Sequence, residues 1–338
     1  MLLSTLSNIM LLTERTPGVI VRPIANLLGM IYDLLFNFIY GFIQSGSLGI
    51  AIILFTLFVK LILFPLFIKQ QKSTYKMQKL QPELNKIKEK YKEKKDQESQ
   101  QRMAFEMQEF QKKNGISMLG GCLPLLIQLP ILYALFYIFQ QPYTYVHVIG
   151  DNYNDITNAI LQIPAQLRVD VFTPYVQNFI AANKLTEFDI GVASDVIRLV
   201  NQLKIADWNT ILTALGDSGI QLANLLATKN QMESFMGIHL VYNAGLTLPG
   251  IIIPILSGGT TWIQSKMMMK NQNMDPSDPT ASTMKMMNIF MPLMMGFMTI
   301  NMPAALGLYW TVSNLFTMLQ QWLANRHFRA KDAKEAAL

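Results

Sequence analysis

"GIAIILFTLFVKLILFPLFI", residues 49–68, is twenty residues long and carries one charge, Lys60. As a helix rising ~1.5 Å per residue it spans ~30 Å, the hydrocarbon thickness of a bilayer. Lys60 then falls near the midplane, where insertion scales assign a lysine a penalty of roughly 2.5–3.5 kcal/mol. A penalty of that size points to a use. Snorkelling offers little relief. The cytoplasmic end of a straight helix lies ~13 Å further on, and the Cα–Cβ bond leans toward the opposite, N-terminal end.

The whole chain agrees with a membrane setting. It has 338 residues, of which 51% are hydrophobic and 15% charged, with a mean hydropathy of +0.25. Soluble domains carry about 25% charged residues. The single cysteine, Cys122, excludes an internal disulfide and a lipid-attachment cysteine near the N-terminus. The opening "MLLSTLSNIMLLTERTPG" has no basic stretch before its apolar residues and reads poorly as a secretory signal.

Four more apolar runs follow, which gives an all-α polytopic membrane protein with five spanning helices. The segments are an extracytoplasmic stretch 1–47, then spans 48–68, 118–140, 246–266, 285–301 and 303–324. Pro303 breaks the last two apart. A basic hairpin 69–117, a loop 267–284 and a tail 325–338 lie on one side, and an insert 141–245 lies on the other. Within the first stretch, Ile24, Leu27, Leu28, Ile31, Leu34 and Leu35 follow helical spacing. They predict an amphipathic helix lying in the interface, with a sixth span as the rival.

Charge sets the orientation. Residues 69–113 hold 13 Lys/Arg and 7 Asp/Glu, whereas 140–245 hold 5 and 9. Basic residues also flank 265–285 and follow Leu323, so these segments and the C-terminus belong in the cytoplasm and the N-terminus outside. In the basic loop, Leu80, Leu84, Ile87 and Tyr91 face Met103, Met107 and Phe110, with Lys94-Lys95-Asp96 between. The spacing predicts two antiparallel helices along a narrow apolar seam. Its Lys86, Lys88, Lys90, Lys92, Lys94 and Lys95 form either a solvated face or a contact surface for anionic headgroups or an acidic partner.

Polar residues recur inside the spans. Thr56 shares a helix face with Lys60, Gln128 lies in the second span, Thr260, Thr261 and Gln264 lie in the third, and Ser313 and Asn314 follow Tyr309 and Trp310 in the fifth. Such groups face the bundle or a water-filled cavity. For the uncharged ones interhelical hydrogen bonding is the simpler reading. No Asp or Glu occurs in the five runs, so Lys60 has no acidic neighbour there and calls for a hydrated cavity. Pro65, Pro124, Pro130, Pro254 and Pro292 each remove a backbone hydrogen bond within a span and can kink it. Twelve of the 22 methionines lie between Met267 and Met302, as generic packing or as an adaptable apolar surface.

The stretches "GIAIILFTLFVKLILFPLFIKQQKSTYKMQKLQPELNKIKEKY", "GGCLPLLIQLPILYALFYIF", "PILSGGTTWIQSKMMM" and "MPAALGLYWTVSNLFTMLQQWL" resemble, in that order, the YidC/Oxa1/Alb3 membrane protein insertase family. The likeness covers about 19–145 and 235–328. It implies five helices around a positively charged, hydrophilic groove and a cytoplasmic helical hairpin. It further implies that membrane proteins are inserted there without ATP, alone or with the Sec translocon. Lys60 stands where an arginine is common, and the candidate groove set is Lys60, Thr56, Gln128, Gln264, Tyr309, Trp310, Ser313 and Asn314. The implied partners are nascent membrane proteins and the lipid bilayer of a bacterial plasma membrane. The Sec translocon, the signal recognition particle pathway and the ribosome are further candidates, although a dozen-residue tail weakens the case for the last. No enzyme activity, cofactor, metal or direct nucleic-acid contact is expected.

The insert exceeds ninety residues where the family has a short segment. Val192–Leu203 and Ile211–Leu226 read as amphipathic helices within it, and 150–230 is expected to fold on its own as a soluble unit. Two other functions compete with insertion. A small-solute transporter or channel would also carry polar groups and prolines in its spans, but no internal repeat relates the halves. An intramembrane protease would need an acid pair, or a serine with a base, in the spans. His147, His239 and His327 all lie outside them.

Overall fold

The computed structural model describes residues 18, 21–91, 94, 96–115, 123–269 and 279–336. The described chain is helical nearly throughout. Its first helices are α1 (Val21–Tyr40), α2 (Ser47–Ile62), α3 (Phe64–Lys79), α4 (Gln81–Lys90), α5 (Gln97–Lys113) and α6 (Leu123–Gln140). Next come α7 (Pro142–Tyr145), α8 (His147–Gln162), α9 (Ala165–Asn183), α10 (Ala193–Gln202), α11 (Ile205–Leu215) and α12 (Ile220–Glu233). A hairpin of β1 (Ser234–Phe235) and β2 (Ile238–His239) leads to α13 (Ile252–Met269), α14 (Pro279–Ile300) and α15 (Ala304–Ala336). The chain divides into two compact units. One takes the chain up to Ile52 with Pro130–Ala244 and Met302–Leu306, and the other takes Ile53–Leu129, Gly245–Asn301 and Gly307–Leu338.

The stretch 48–68 is not one straight helix. It breaks at Leu63, where α2 and α3 meet at 61°. Pro65 has no N–H for the carbonyl four residues earlier, and its ring crowds that carbonyl, so α2 cannot continue. In the first turn of α3 the missing donor does no harm. Lys60 therefore sits in the last turn of α2 and not in mid-helix. The bent pair, taken together, is long and apolar enough to cross a membrane, and so is α1. Among the described residues the apolar parts of α6 and α14, Gln128–Gln140 and Asn288–Ile300, are shorter.

Within the second unit, α4 and α5 lie against each other. Lys90 Nζ donates to both Glu106 oxygens at 3.0 and 2.9 Å, and Tyr91 Oη donates to Glu106 Oε2 at 2.8 Å. Asp96 caps α5 by accepting from the Ser99 amide at 2.8 Å. An open cleft of about 790 Å³ runs along the hairpin, lined in part by Ile87, Tyr91, Phe105 and Phe110. The segment read as a tail, 325–338, instead continues α15 as far as Ala336. Its Asp332 Oδ2 accepts from Tyr75 Oη at 2.5 Å and pairs with Lys79 Nζ at 2.5 Å, while Phe328 packs on the Tyr75 ring. Lys79 and Tyr75 hold the Asp332 carboxyl below its ordinary range. Burial, then Asp332, pushes Tyr75 up to about 12.

The first unit joins α1 to the insert. The buried side of α1 is Ala25, Leu28, Gly29, Tyr32, Asp33, Phe36 and Ile39. That stripe is rotated from the predicted one, because Leu27 and Leu34 are exposed beside Met30 and Phe38. Two specific contacts fix the rotation. A β-carbon on Gly29 would stand 2.7 Å from Tyr145 Cδ1, so the glycine admits the ring. Asp33 accepts from the His147 amide at 2.9 Å and meets its Nδ1 at 2.7 Å.

The insert departs from its prediction in one place. Ile211–Leu226 is not one helix: Gly216, at φ 53° and ψ −128°, ends α11, and a 3-10 turn over Gly216–Gly219 leads into α12. Just beyond 150–230, the end of the insert is tied to neighbouring helices. Gln231 O accepts from the Gly46 amide at 2.9 Å, and Phe235 packs against Gly49 so closely that a β-carbon there would overlap the ring. Tyr242 O and Leu240 O accept from Ala304 and Ala305 at 2.9 and 2.8 Å. The starts of α2 and α15 are thus satisfied by the end of the insert, where water would otherwise serve. The β1–β2 turn has positive φ at both Met236 and Gly237, the twist that suits a two-residue hairpin.

An ionic core holds the insert. Lys229 and Glu233, one turn apart on α12, pair at 2.7 Å and are both fully buried. Tyr153 Oη donates to the other Glu233 oxygen at 2.7 Å. Lys229 Nζ lies over the Tyr153 and Tyr242 rings. His239 stacks on Tyr242 at 3.7 Å, and burial followed by Lys229 depresses its pKa to about 2. Tyr242 Oη donates to Leu203 O at 2.6 Å.

Candidate functional site

Six of the candidate groove residues, Lys60, Gln128, Tyr309, Trp310, Ser313 and Asn314, are linked by hydrogen bonds on or to α15, within the second unit. Three threonines explain how. Thr317 Oγ1 donates to Ser313 O at 2.7 Å, Thr260 to Leu256 O at 2.7 Å, and Thr261 to Ser257 O at 2.6 Å. Each bond runs back one helical turn. With its proton engaged in this way, a threonine hydroxyl can only accept from a neighbouring helix.

Each receives such a donor. Lys60 Nζ donates to Thr317 Oγ1 at 3.0 Å. Asn314 Nδ2 donates to Thr260 and Thr261 at 3.1 and 2.9 Å, and Trp310 Nε1 donates to Thr261 at 3.2 Å. On the remaining side Gln128 Nε2 donates to Tyr309 Oη at 2.9 Å, and Tyr309 is also hydrogen-bonded to Ser313. Residues 309, 313 and 317 step along one face of α15 toward α6 and α2, whereas 310 and 314 take the adjoining face toward α13. Interhelical bonding thus accounts for Gln128, Trp310 and Asn314. Thr56 is fully buried one turn before Lys60, and Gln264 is half-buried one turn beyond Thr260.

Five polar residues were missed in the sequence. Thr317 lies one turn beyond Ser313, and the same four-residue step would have found it and Gln321. Gln320 and Gln321 are both buried, and Gln320 Nε2 has no hydrogen-bond partner among the described residues. Ser257 and Thr299 meet hydroxyl to hydroxyl at 2.9 Å between α13 and α14. In the hairpin, Lys86 and Lys94 are exposed, Lys90 is held by Glu106, and Lys88 is half-buried. Lys92 and Lys95 lie outside the described residues.

Long apolar helices joined through paired polar groups are the build of a lipid-embedded α-helical protein. The family described as 60Kd inner membrane protein matches residues 38–332. The membrane protein insertase YidC of Clostridium perfringens (strain 13 / Type A) is 31% identical over 324 residues, 94% of this chain and 95% of its own. The membrane protein insertase MisCA of Bacillus subtilis (strain 168) is 29% identical over 282 residues, covering 83% and 71%. The protein of Chlorobium limicola (strain DSM 245 / NBRC 103803 / 6330) named membrane protein insertase YidC is 27% identical over 303 residues, 90% of this chain but 37% of its own. The chain belongs to the YidC/Oxa1/Alb3 family.

Proposed function

We propose that this protein is a membrane protein insertase, moving hydrophobic segments of nascent chains from the cytoplasm into the bilayer through a hydrated, positively charged groove. The observation that carries this reading is Lys60. Its ammonium ends an apolar helix and bonds to a neutral hydroxyl, so its charge is aimed without being cancelled. A polar tail faces a large barrier in hydrocarbon, and a wet groove reaching part-way in shortens that path. Lys60 attracts acidic residues of the tail while the apolar segment moves sideways into lipid.

In this reading the chain spans the membrane five times, with α4, α5 and the end of α15 in the cytoplasm and the insert outside. The charge bias supports that orientation. No nucleotide is consumed, and the Sec translocon serves as an occasional partner. The hairpin lysines, with the cleft beside them, form the surface that meets cytoplasmic partners.

The test is complementation of an insertase-depleted bacterium with protein levels measured in parallel. Lys60→Arg keeps the charge and retains function. Lys60→Leu accumulates in the membrane at least as well yet fails on substrates with acidic translocated tails. Full activity of Lys60→Leu on every substrate would remove the proposed role. Flux of a small solute through vesicles, without insertion, would favour a transporter.

A further inference from the structure

Building on the proposed role of Lys60, we propose that Thr317 is its positioning residue. Thr317 holds the ammonium in place and leaves its charge available to the incoming segment.

The two residues lie 257 positions apart in sequence and meet at 3.0 Å. Lysine carries its charge on a flexible four-carbon stem. Left alone, the ammonium would wander, and each encounter with a substrate would have to order it again. The acceptor that holds it is itself fixed. Thr317 donates its only proton to Ser313 O, so its oxygen can neither turn away nor donate to an arriving carboxylate. It sits on a helix interior, in line with Ser313 and Tyr309, and Gln128 braces Tyr309.

The chemistry of the acceptor matters as much as its position. A carboxylate in place of Thr317 would neutralise Lys60 and compete with the acidic residues it should attract. A hydroxyl accepts one of the three ammonium protons and carries no charge. Lys60 has no second hydrogen-bond partner among the described residues, so two N–H bonds are left for a substrate carboxylate. A neutral, single-point hold is the arrangement that directs a cation while leaving it reactive.

The test uses the full-length chain in proteoliposomes with two single-span substrates that differ only in whether the translocated tail is acidic or uncharged. Thr317→Val keeps the shape and removes the acceptor, Thr317→Ser keeps the acceptor, and Lys60→Leu runs beside them. Thr317→Val should lower insertion of the acidic-tailed substrate about tenfold, the worth of one hydrogen bond to a charged group. It should leave insertion of the uncharged-tailed substrate unchanged. Thr317→Ser should restore wild-type insertion, and adding Thr317→Val to Lys60→Leu should cause no further loss.

Wild-type insertion of acidic tails by Thr317→Val, while Lys60→Leu fails on them, overturns the positioning role and leaves the groove reading intact. Equal losses on both substrates, or no rescue by Thr317→Ser, make Thr317 a packing residue and overturn it too. No effect of Lys60→Leu on either substrate overturns both readings.

Discussion

Gly307 of α15 lies against Ile253 of α13 so closely that a β-carbon on the glycine would overlap Ile253 Cγ2. Cγ2 hangs directly from a β-branched carbon and cannot swing aside as the end of a long side chain could. Gly307→Ala should therefore destabilise the protein by about 1–3 kcal/mol through overpacking. Ile253→Ala in the same chain should recover most of that loss, because it removes the obstructing methyl. Thermal unfolding in detergent, with all three variants compared, reads both effects.

The buried pair of the insert makes a different prediction. Lys229→Met leaves the Glu233 carboxylate without its cation in a site closed to water. Breaking a buried pair from one side costs about 3–5 kcal/mol. Lys229→Met combined with Glu233→Leu should lose less, since neither charge is then stranded. Limited proteolysis of residues 140–240 in the intact protein should show faster cleavage for the single variant than for the double.

His239 adds a dependence on pH. Its folded pKa of about 2 lies below the ordinary histidine value of about 6.5. The unfolded chain therefore binds the extra proton first as pH falls. The stabilisation is fully present above pH ~6.5 and declines steadily as pH drops toward the folded value. Replacing His239 by Phe keeps a ring for Tyr242 to stack on and removes the titration. The unfolding midpoint of His239→Phe should fall less between pH 7 and pH 4 than that of the parent.

Orientation can be read directly by labelling. In a Cys122→Ser background, single cysteines at Lys94 and Asn209, both exposed, should react with an impermeant reagent from opposite sides of the membrane. Labelling from one side alone would overturn the proposed topology.

Much of this arrangement was legible in local patterns, and the rest depended on partners far along the chain. The apolar periodicity around Leu84 and Phe110 gave the hairpin, and that around Val196 and Leu199 gave α10. Pro65 was visible as a kinking residue, but the size of the bend, 61°, was not. Asn314 and Trp310 could be named from sequence. Their acceptors Thr260 and Thr261 are about fifty residues away, and only the fold brings them together. Lys229 and Glu233 are spaced as an ordinary exposed helix pair. Their burial is due to Tyr153, His239 and Tyr242, which arrive from α8, from β2 and from the chain just after it.

Gly258 and Gly296 bring α13 and α14 together backbone to backbone. A β-carbon at Gly258 would stand 3.2 Å from Pro292 O and 3.5 Å from Gly296 Cα. Ser257 and Thr299 bond to each other inside that contact, so the two helices form a welded plate in which these two hydroxyls satisfy one another. α15 is fastened to the plate differently, by the donors of Asn314 and Trp310 resting on threonine oxygens. Those bonds can be exchanged one at a time for water or for the polar groups of a passing chain. The helix set thus has a weld and a zip, and any widening opens at the zip, along the face of α15 next to Thr317.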